Sequence, residues 1–312
     1  MNNNKSKKTE VKNVCPFCKS ENCIKWTKRK TQNRGLIQRY KCNSCNKTFT
    51  KDDGFFRMRN HPKKITCAVD LFYRGVSTRK VQEHFKAFYP HNSNHTSILR
   101  WIRKYSLMIS KFTENLKLSV GAEVQIDEVE YHRRKSHKAK LGNEKNWFID
   151  SICPQTKFMV ASDYYKSRGM DEVKAVIKNI KIKTEKQVRV ITTDGLPAYP
   201  NAIKKVYGFS NKTKRVEVYH NRINASKGEG FNYPIERLHN NLRMRTKTFR
   251  GFHGSVESAN AILKGWSIYY NFITKHQTIN KCPYELACPE LKLNSENKWL
   301  ELINLSKKPT IN

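Results

Sequence analysis

The chain has 312 residues, enough for two or three domains. Hydrophobic residues make up 38% and charged residues 28%, which excludes a disordered chain. Lys and Arg number 61 against 26 Asp and Glu, a formal net charge of +35, and such a surplus repels itself unless a polyanion neutralises it. Nucleic acid is therefore the expected partner. No run approaches the roughly 18 consecutive apolar residues needed to span a bilayer. The opening MNNNKSKKTE has no apolar stretch after its charges, so no secretory signal is expected there. The cytosol or the nucleoid is the expected location, with no membrane partner.

Residues 1–12 form a Lys- and Asn-rich tail for which disorder is expected. Residues 13–51 carry Cys15-Pro-Phe-Cys18 and, 23 residues further on, Cys42-Asn-Ser-Cys45. Four thiolates on two tight turns suit one tetrahedral zinc, and four sulfurs leave no open position for catalysis, so a structural zinc ribbon is expected. The count of nine cysteines is odd, and Cys23, Cys67, Cys153, Cys282 and Cys288 are scattered. A reducing compartment with one metal site explains this better than a disulfide framework. Lys25, Lys28, Arg29, Lys30, Arg34 and Arg39 crowd the intervening loop, interleaved with Trp26 and Tyr40. They form either a phosphate-contacting surface or a solvated basic face.

Three helices are predicted over 60–106. Pro62 suits a first helical position and Gly75 the residue past the end. Between them Ile65, Val69 and Phe72 recur at i, i+4 and i+7. Ser77 reads as an N-cap, with Val76 and Val81 stapled across it. Pro90 breaks the pattern before a third helix over 95–106. There Ile98, Trp101, Ile102 and Tyr105 make a core stripe, while Thr96, Ser97, Arg100, Arg103 and Lys104 lie off it. A recognition helix needs this division, so a helix-turn-helix DNA-binding domain is expected, with Arg100, Arg103 and Lys104 as contacts. Any small three-helix bundle shares the pattern.

From 120 the period changes to that of strands. Glu123–Glu128 alternates polar and apolar residues, and Trp147–Cys153 and Phe158–Tyr165 read as a hairpin. A helix over 170–182 follows, then a strand over Val188–Thr193 ending at Asp194-Gly195, and a helix over 198–207. Val216–Tyr219 reads as a fifth strand. Pro234 opens a helix through about 245, and a last helical stretch covers 255–274. The order βββαβαβαα predicts a multidomain α/β chain whose domain at 120–289 is a mixed sheet flanked by helices, followed by a tail at 290–312.

Acidic residues are scarce, so their placement is informative. If the first and fourth strands are neighbours, Asp127 and Asp194 lie side by side, and a helix crossing the sheet brings Glu236 to them. Three converging carboxylates require divalent cations, and hard oxygen ligands select magnesium or manganese. Two such ions serve in-line phosphoryl displacement. Singly, each acid has an ordinary alternative: Glu236 favours a helix N-terminus, and Asp194-Gly195 makes a turn. Asp150 and Asp163 are placed on the outer hairpin, and Glu128 on the face opposite Asp127. The helix after Glu236 carries Arg237, Arg243, Arg245, Lys247 and Arg250 with no further acid as far as Arg250. Of these, Arg243, Arg245, Lys247 and Arg250 are candidate DNA contacts.

The motifs Gln125-Ile126-Asp127-Glu128, Thr193-Asp194-Gly195-Leu196-Pro197-Ala198-Tyr199 and Tyr233-Pro234-Ile235-Glu236 through Arg243 resemble those of the DDE transposases of bacterial and archaeal insertion sequences. The resemblance runs from about 13 to 290 and includes the stretch Trp266 through Glu285. Lys275-His276 departs mildly from the family's more common Arg-Pro-His, and the gap from Asp194 to Glu236 is slightly long, with the surplus within Asn221–Asn232. The resemblance implies a ribonuclease H-like, retroviral-integrase-like catalytic domain in a prokaryotic protein. It implies that Asp127, Asp194 and Glu236 are catalytic and hold two magnesium or manganese ions. Arg243 matches the family's basic residue seven positions after the Glu, and His239 is an accessory group at the phosphate. The implied activity is DNA cleavage and strand transfer at terminal inverted repeats, by a homodimer or larger homo-oligomer acting on double-stranded DNA. A domesticated, non-cutting DNA-binding descendant shares the charge, ribbon and helix-turn-helix, and a nuclease without strand transfer shares the acids.

Overall fold

A computed structural model describes residues 14–32, 34–55, 58–89, 93–134, 144–185, 187–210, 215–223, 232–249 and 251–307. The N-terminal tail through 12 and Arg250 lie outside the described residues. The chain divides into two compact units, residues 1–65 and 66–312.

The first unit contains an antiparallel sheet in the order β1 (Cys23–Thr31), β2 (Gly35–Cys42), β3 (Thr48–Thr50). Its core is small: Cys15, Cys42 and Phe49 are buried, with Cys23, Tyr40 and Cys45 packed against them. Tyr40 stacks on Phe49 with centroids 5.7 Å apart. So few apolar side chains cannot offset the entropy of ordering this segment, and a further cross-link is needed. β1 is exposed along nearly its whole length.

Helix α1 (Pro62–Tyr73) leads to α2 (Thr78–Phe88) and α3 (His95–Thr113). Ser77 caps α2 by accepting from the Lys80 N–H, and Asn94 caps α3 by accepting from the Thr96 N–H. The expected third helix ends at 106, but the real one runs on to Thr113 because Ser106, Ile109 and Ser110 continue the buried stripe. A ring of aromatic and small groups joins these helices to the C-terminal part of the unit. Tyr73 Oη lies 2.9 Å from Ser106 Oγ and donates to the Ile262 carbonyl at 3.1 Å. Gly265 makes this possible, since a Cβ there would sit 1.9 Å from Tyr73 Oη.

The remaining elements are β4 (Glu123–Arg134), β5 (Glu144–Ile152), β6 (Met159–Tyr165), α4 (Met170–Thr184), β7 (Val190–Thr193) and α5 (Ala198–Tyr207). They continue with the short pair β8 (Phe209–Ser210) and β9 (Arg215–Val216), then β10 (Tyr219–Arg222), α6 (Tyr233–Thr246), β11 (Phe252–His253), α7 (Val256–Ile268), α8 (Tyr284–Ala287) and α9 (Lys298–Leu305). A 3-10 turn at Lys247–Phe249 follows α6, and a π-helical turn at Tyr269–Ile273 follows α7.

The main sheet has the order β10-β7-β4-β5-β6, with β11 added beside the end of β4. β4 is antiparallel to β5, and β5 to β6, whereas β7 and β10 run parallel to β4. The first strand of the sheet is thus central, and its neighbours are the second and fourth. This mixed sheet fits the ribonuclease H-like expectation.

Two expectations are corrected. The fifth strand of the sheet is Tyr219–Arg222, not Val216–Tyr219. It lies at an edge and reads Tyr-His-Asn-Arg, without the apolar alternation that marks a half-buried strand, while the more apolar approach places Val218 in the core. The expected tail at 290–312 contains the packed helix α9. Trp299 stacks on Tyr73 at 5.5 Å and donates its indole N–H to Asp70 Oδ1 at 3.1 Å. Leu302 and Ile303 of α9 are buried. Among the described residues no helix is long and apolar enough to cross a membrane.

Candidate active site and metal centre

The two C-x2-C turns have the same backbone. Cys15 N–H donates to the Ser20 carbonyl at 2.9 Å, and Cys42 N–H to the Lys47 carbonyl at 3.0 Å. Lys19 and Asn46, each just past the second cysteine of its turn, have positive φ of 62° and 55°. The turns bring Cys15 Sγ to 3.7 Å from Cys45 Sγ and Cys18 Sγ to 3.5 Å from Cys42 Sγ. One sulfur from each of the four lies within 4.8 Å of the others. A tetrahedral zinc with Zn–S of about 2.3 Å spaces its sulfurs by about 3.8 Å, so the donor set fits that ion. Cys23 lies at the start of β1 with its thiol on the Ser20 carbonyl and is not one of the four.

The acidic site forms where β4 and β7 run side by side. Gln125 pairs with Thr192. Two residues further along each chain stand Asp127 and Asp194, as the sequence predicts. Asp194 Oδ1 accepts the Leu196 N–H at 3.0 Å, which fixes the turn past β7. Gly195 lacks a side chain where the Arg222 guanidinium lies, since a Cβ would come 2.9 Å from its Nη2.

The third member of the carboxylate group is unexpected. Asp127, Asp194 and Glu128 each offer a carboxylate oxygen within 4.8 Å of the other two. Glu128 follows Asp127 on β4, and its side chain is long enough to bring the carboxylate into this group. Tyr199 Oη donates to Glu128 Oε2 at 2.7 Å and Arg168 Nη1 to Oε1 at 2.9 Å. Burial raises the Glu128 pKa above the usual glutamate value, against the pull of Tyr199 and Arg168 and with the help of Asp194. Burial also pushes the Asp127 carboxyl up to about 6, despite the nearby His239. A raised proton affinity at crowded carboxylates marks a site where positive charge is wanted, and an all-oxygen donor set fits a hard divalent cation.

Asp150 lies on the β5–β6 hairpin, as expected, yet it faces the site. It pairs across from Asp127 in the β4–β5 ladder and is wholly buried. His239 of α6 lies between the two: Nε2 is 2.6 Å from Asp150 Oδ1 and Nδ1 is 3.4 Å from Asp127 Oδ2. Burial disfavours the imidazolium, but Asp150 and Asp127 more than offset it, and the His239 pKa stands above its ordinary value. His239 is itself only 2% exposed. It therefore orients Asp127 and does not reach outward to a phosphate.

Glu236 is exposed in the first turn of α6, and among the described residues it is not in the close carboxylate group. It lies one helical turn before His239, and residues so spaced have Cβ atoms about 5–6 Å apart. The Ile235 N–H donates to Gln125 Oε1 at 3.4 Å, anchoring this end of α6 to β4.

The expected DNA contacts fall in different settings. Arg243 and Lys247 are exposed and line a groove beside Glu130 and His132 of β4. Arg100 and Lys104 are exposed on α3, and Arg103 is half-buried with its Nε in the interior. Arg245 is buried. Sequence reasoning missed Glu128, Asp150, Arg168 and Tyr199. The one signal for Asp150 was the hairpin itself, but its register depends on where the turn between β4 and β5 begins.

Residues 151–277 match the family model DDE_Tnp_IS240, described as a DDE domain. The matched stretch includes Asp194, Glu236 and His239, and Asp127 precedes it on β4. No curated protein matches the chain. Over these residues the chain is thus similar to the DDE domain of insertion-sequence transposases.

Proposed function

We propose that the chain is a transposase that binds terminal inverted repeats and performs DNA cleavage and strand transfer. The observation that carries this reading is the meeting of Asp127, within β4, and Asp194, just past the end of β7, in a chain that has a DDE domain. Asp127, Asp194 and Glu236 would hold two magnesium or manganese ions. When bound, such ions supply charge stabilisation at the reacting phosphate. His239, clamped by Asp150, holds Asp127 in place, and the Tyr199 and Arg168 hydrogen bonds fix Glu128 behind it. This leaves Glu236, on the exposed side of α6, as the third ligand. Arg243 and Lys247 would hold the DNA backbone along the same helix.

The reaction exchanges phosphodiesters. Water first opens one at the element's end and frees a 3′-hydroxyl, which then attacks a target phosphodiester and releases another 3′-hydroxyl. No nucleoside triphosphate is consumed, and the chain has no G-x-x-x-x-G-K-[ST] loop. A zinc ribbon on Cys15, Cys18, Cys42 and Cys45 and a helix-turn-helix presenting Arg100, Arg103 and Lys104 would recognise the ends. Two ends call for at least a homodimer. Asp194→Ala tests the assignment: cleavage of labelled DNA flanking the gene should be lost in magnesium while binding is retained. A variant that cuts at the wild-type rate would refute it, and a wild type that binds without cutting would point to a domesticated DNA-binding protein.

A further inference from the structure

Arg245 has no place in the acidic site, and its surroundings are unusual for an arginine. It is only 9% exposed, and its guanidinium carbon lies 4.3 Å from the Phe72 ring centre and 4.6 Å from that of Phe249. The rings cover the cation's flat face. They leave its edge unserved: Nε and Nη2 are both buried without a hydrogen-bond partner among the described residues. These two nitrogens form one side of the guanidinium fork, the side that grips an oxyanion through two parallel hydrogen bonds. Leaving a buried cation so unpaired is costly.

Arg245 lines a cavity of about 470 Å³ bounded by the ends of α1, α6 and α7 and the turn after α7. Thr274 lines the same cavity, and its hydroxyl is also buried and unpartnered among the described residues. Arg74, Arg237 and Lys275 add positive charge, Tyr269 adds an aromatic wall, and no carboxylate belongs to the lining. Arg74 is engaged by Asp70 at 2.6 Å, and Arg237 and Lys275 are exposed, so Arg245 is the buried cation of the lining without an ion pair among the described residues. His276, also in the lining, has its pKa lowered by burial and by Lys157 and Arg237, as expected in a positive field. The mouth lies along Arg237, Asn241 and Met244, which are exposed on α6. Arg245 is nine residues beyond Glu236, about 13 Å along the helix axis.

We propose that this cavity is an oxyanion site in which the Nε/Nη2 edge of Arg245 and the Thr274 hydroxyl take a phosphate of the DNA strand that α6 also presents to the acidic site. The oxyanion chemistry stands on the cavity alone, whereas DNA as the source of the phosphate rests on the transposase reading.

The test uses the zinc-loaded full chain with Arg245→Met, which keeps the side-chain length and removes the fork. Millimolar inorganic phosphate should raise the wild-type melting temperature by mass action and should not raise that of Arg245→Met. On a labelled duplex, the slope of log affinity against log salt should fall by about 0.9, the value of one lost phosphate contact. If Arg245→Met does not fold, Thr274→Val provides the same pair of readouts, with a reduced phosphate response and weaker duplex binding. Equal stabilisation of wild type and folded variant by phosphate would overturn the site. A phosphate response that depends on Arg245, with an unchanged DNA slope, would overturn DNA as the occupant. A wild type that binds no duplex would refute the transposase reading, and the phosphate arm would still decide the cavity.

Discussion

His239 Nε2 lies 2.6 Å from Asp150 Oδ1, inside the layer where α6 crosses β5. This contact ties the helix that carries Glu236 to the sheet that carries Asp127, and it places a cation-ready ring between two facing carboxylates. Asp150→Asn should therefore loosen Asp127 without touching DNA. Second partners of this kind typically change metal affinity or activity by about 10–100-fold when removed. The expected outcome is a loss of that order in magnesium or manganese affinity by calorimetric titration, with duplex affinity unchanged. Unchanged metal affinity would mean that the pair serves packing alone.

The first unit depends on its thiolates. The cluster around its sheet buries Cys15, Cys42 and Phe49, too little apolar surface to keep residues 14–50 ordered alone. The purified chain is expected to carry one zinc per molecule by elemental analysis. Chelation under reducing conditions, or Cys42→Ser, should open residues 14–50 to protease while 66–312 stays resistant. A metal-free chain with full protection over 14–50 would contradict the zinc assignment.

Lys183 supplies a pH dependence away from both metal sites. Its ammonium donates to the Val160 carbonyl at 3.0 Å, and burial, with Lys264 nearby, brings its pKa down to about 8. The unfolded chain keeps the lysine proton up to about 10.4. Above about pH 8 the unfolded state therefore binds more protons than the folded one, and stability rises with pH. The melting temperature should climb between about pH 8 and 9.5, and Lys183→Met should flatten that rise. Identical profiles for the two proteins would exclude this origin.

The order of elements in the catalytic part was legible because apolar periodicity changes cleanly there. Helix α5 begins and ends at 198 and 207 as predicted, since Ala202, Ile203 and Tyr207 mark its buried face. Adjacency of Asp127 and Asp194 followed from that order, because a parallel fourth strand beside the first brings Asp194, just past its end, level with Asp127. Glu128 and Asp150 were left out of the site for a different reason. Alternation gives the direction of a Cβ, whereas the place of the Glu128 carboxylate is set by Tyr199, a residue 71 positions away. Asp150 needs the β4–β5 register, which local patterns do not encode. The docking of Trp299 on Tyr73 is purely tertiary, so nothing near residue 299 announces it. The charge pattern after Glu236 grouped Arg243, Arg245 and Lys247 as candidate DNA contacts, whereas the helix exposes Arg243 and Lys247 and turns Arg245 inward.

On the proposed reading Asp127, Asp194 and Glu236 act together on DNA, with Glu128 held in a supporting role by Tyr199 and Arg168. The most direct measurement is the rate of strand joining in magnesium, with labelled end DNA and a supercoiled target, for wild type, Glu236→Gln and Glu128→Gln. Glu236→Gln should abolish joined products while leaving DNA binding intact, and Glu128→Gln should slow joining without abolishing it. The reverse order, with Glu236→Gln active and Glu128→Gln dead, would contradict the account and make Asp127, Glu128 and Asp194 the working carboxylates.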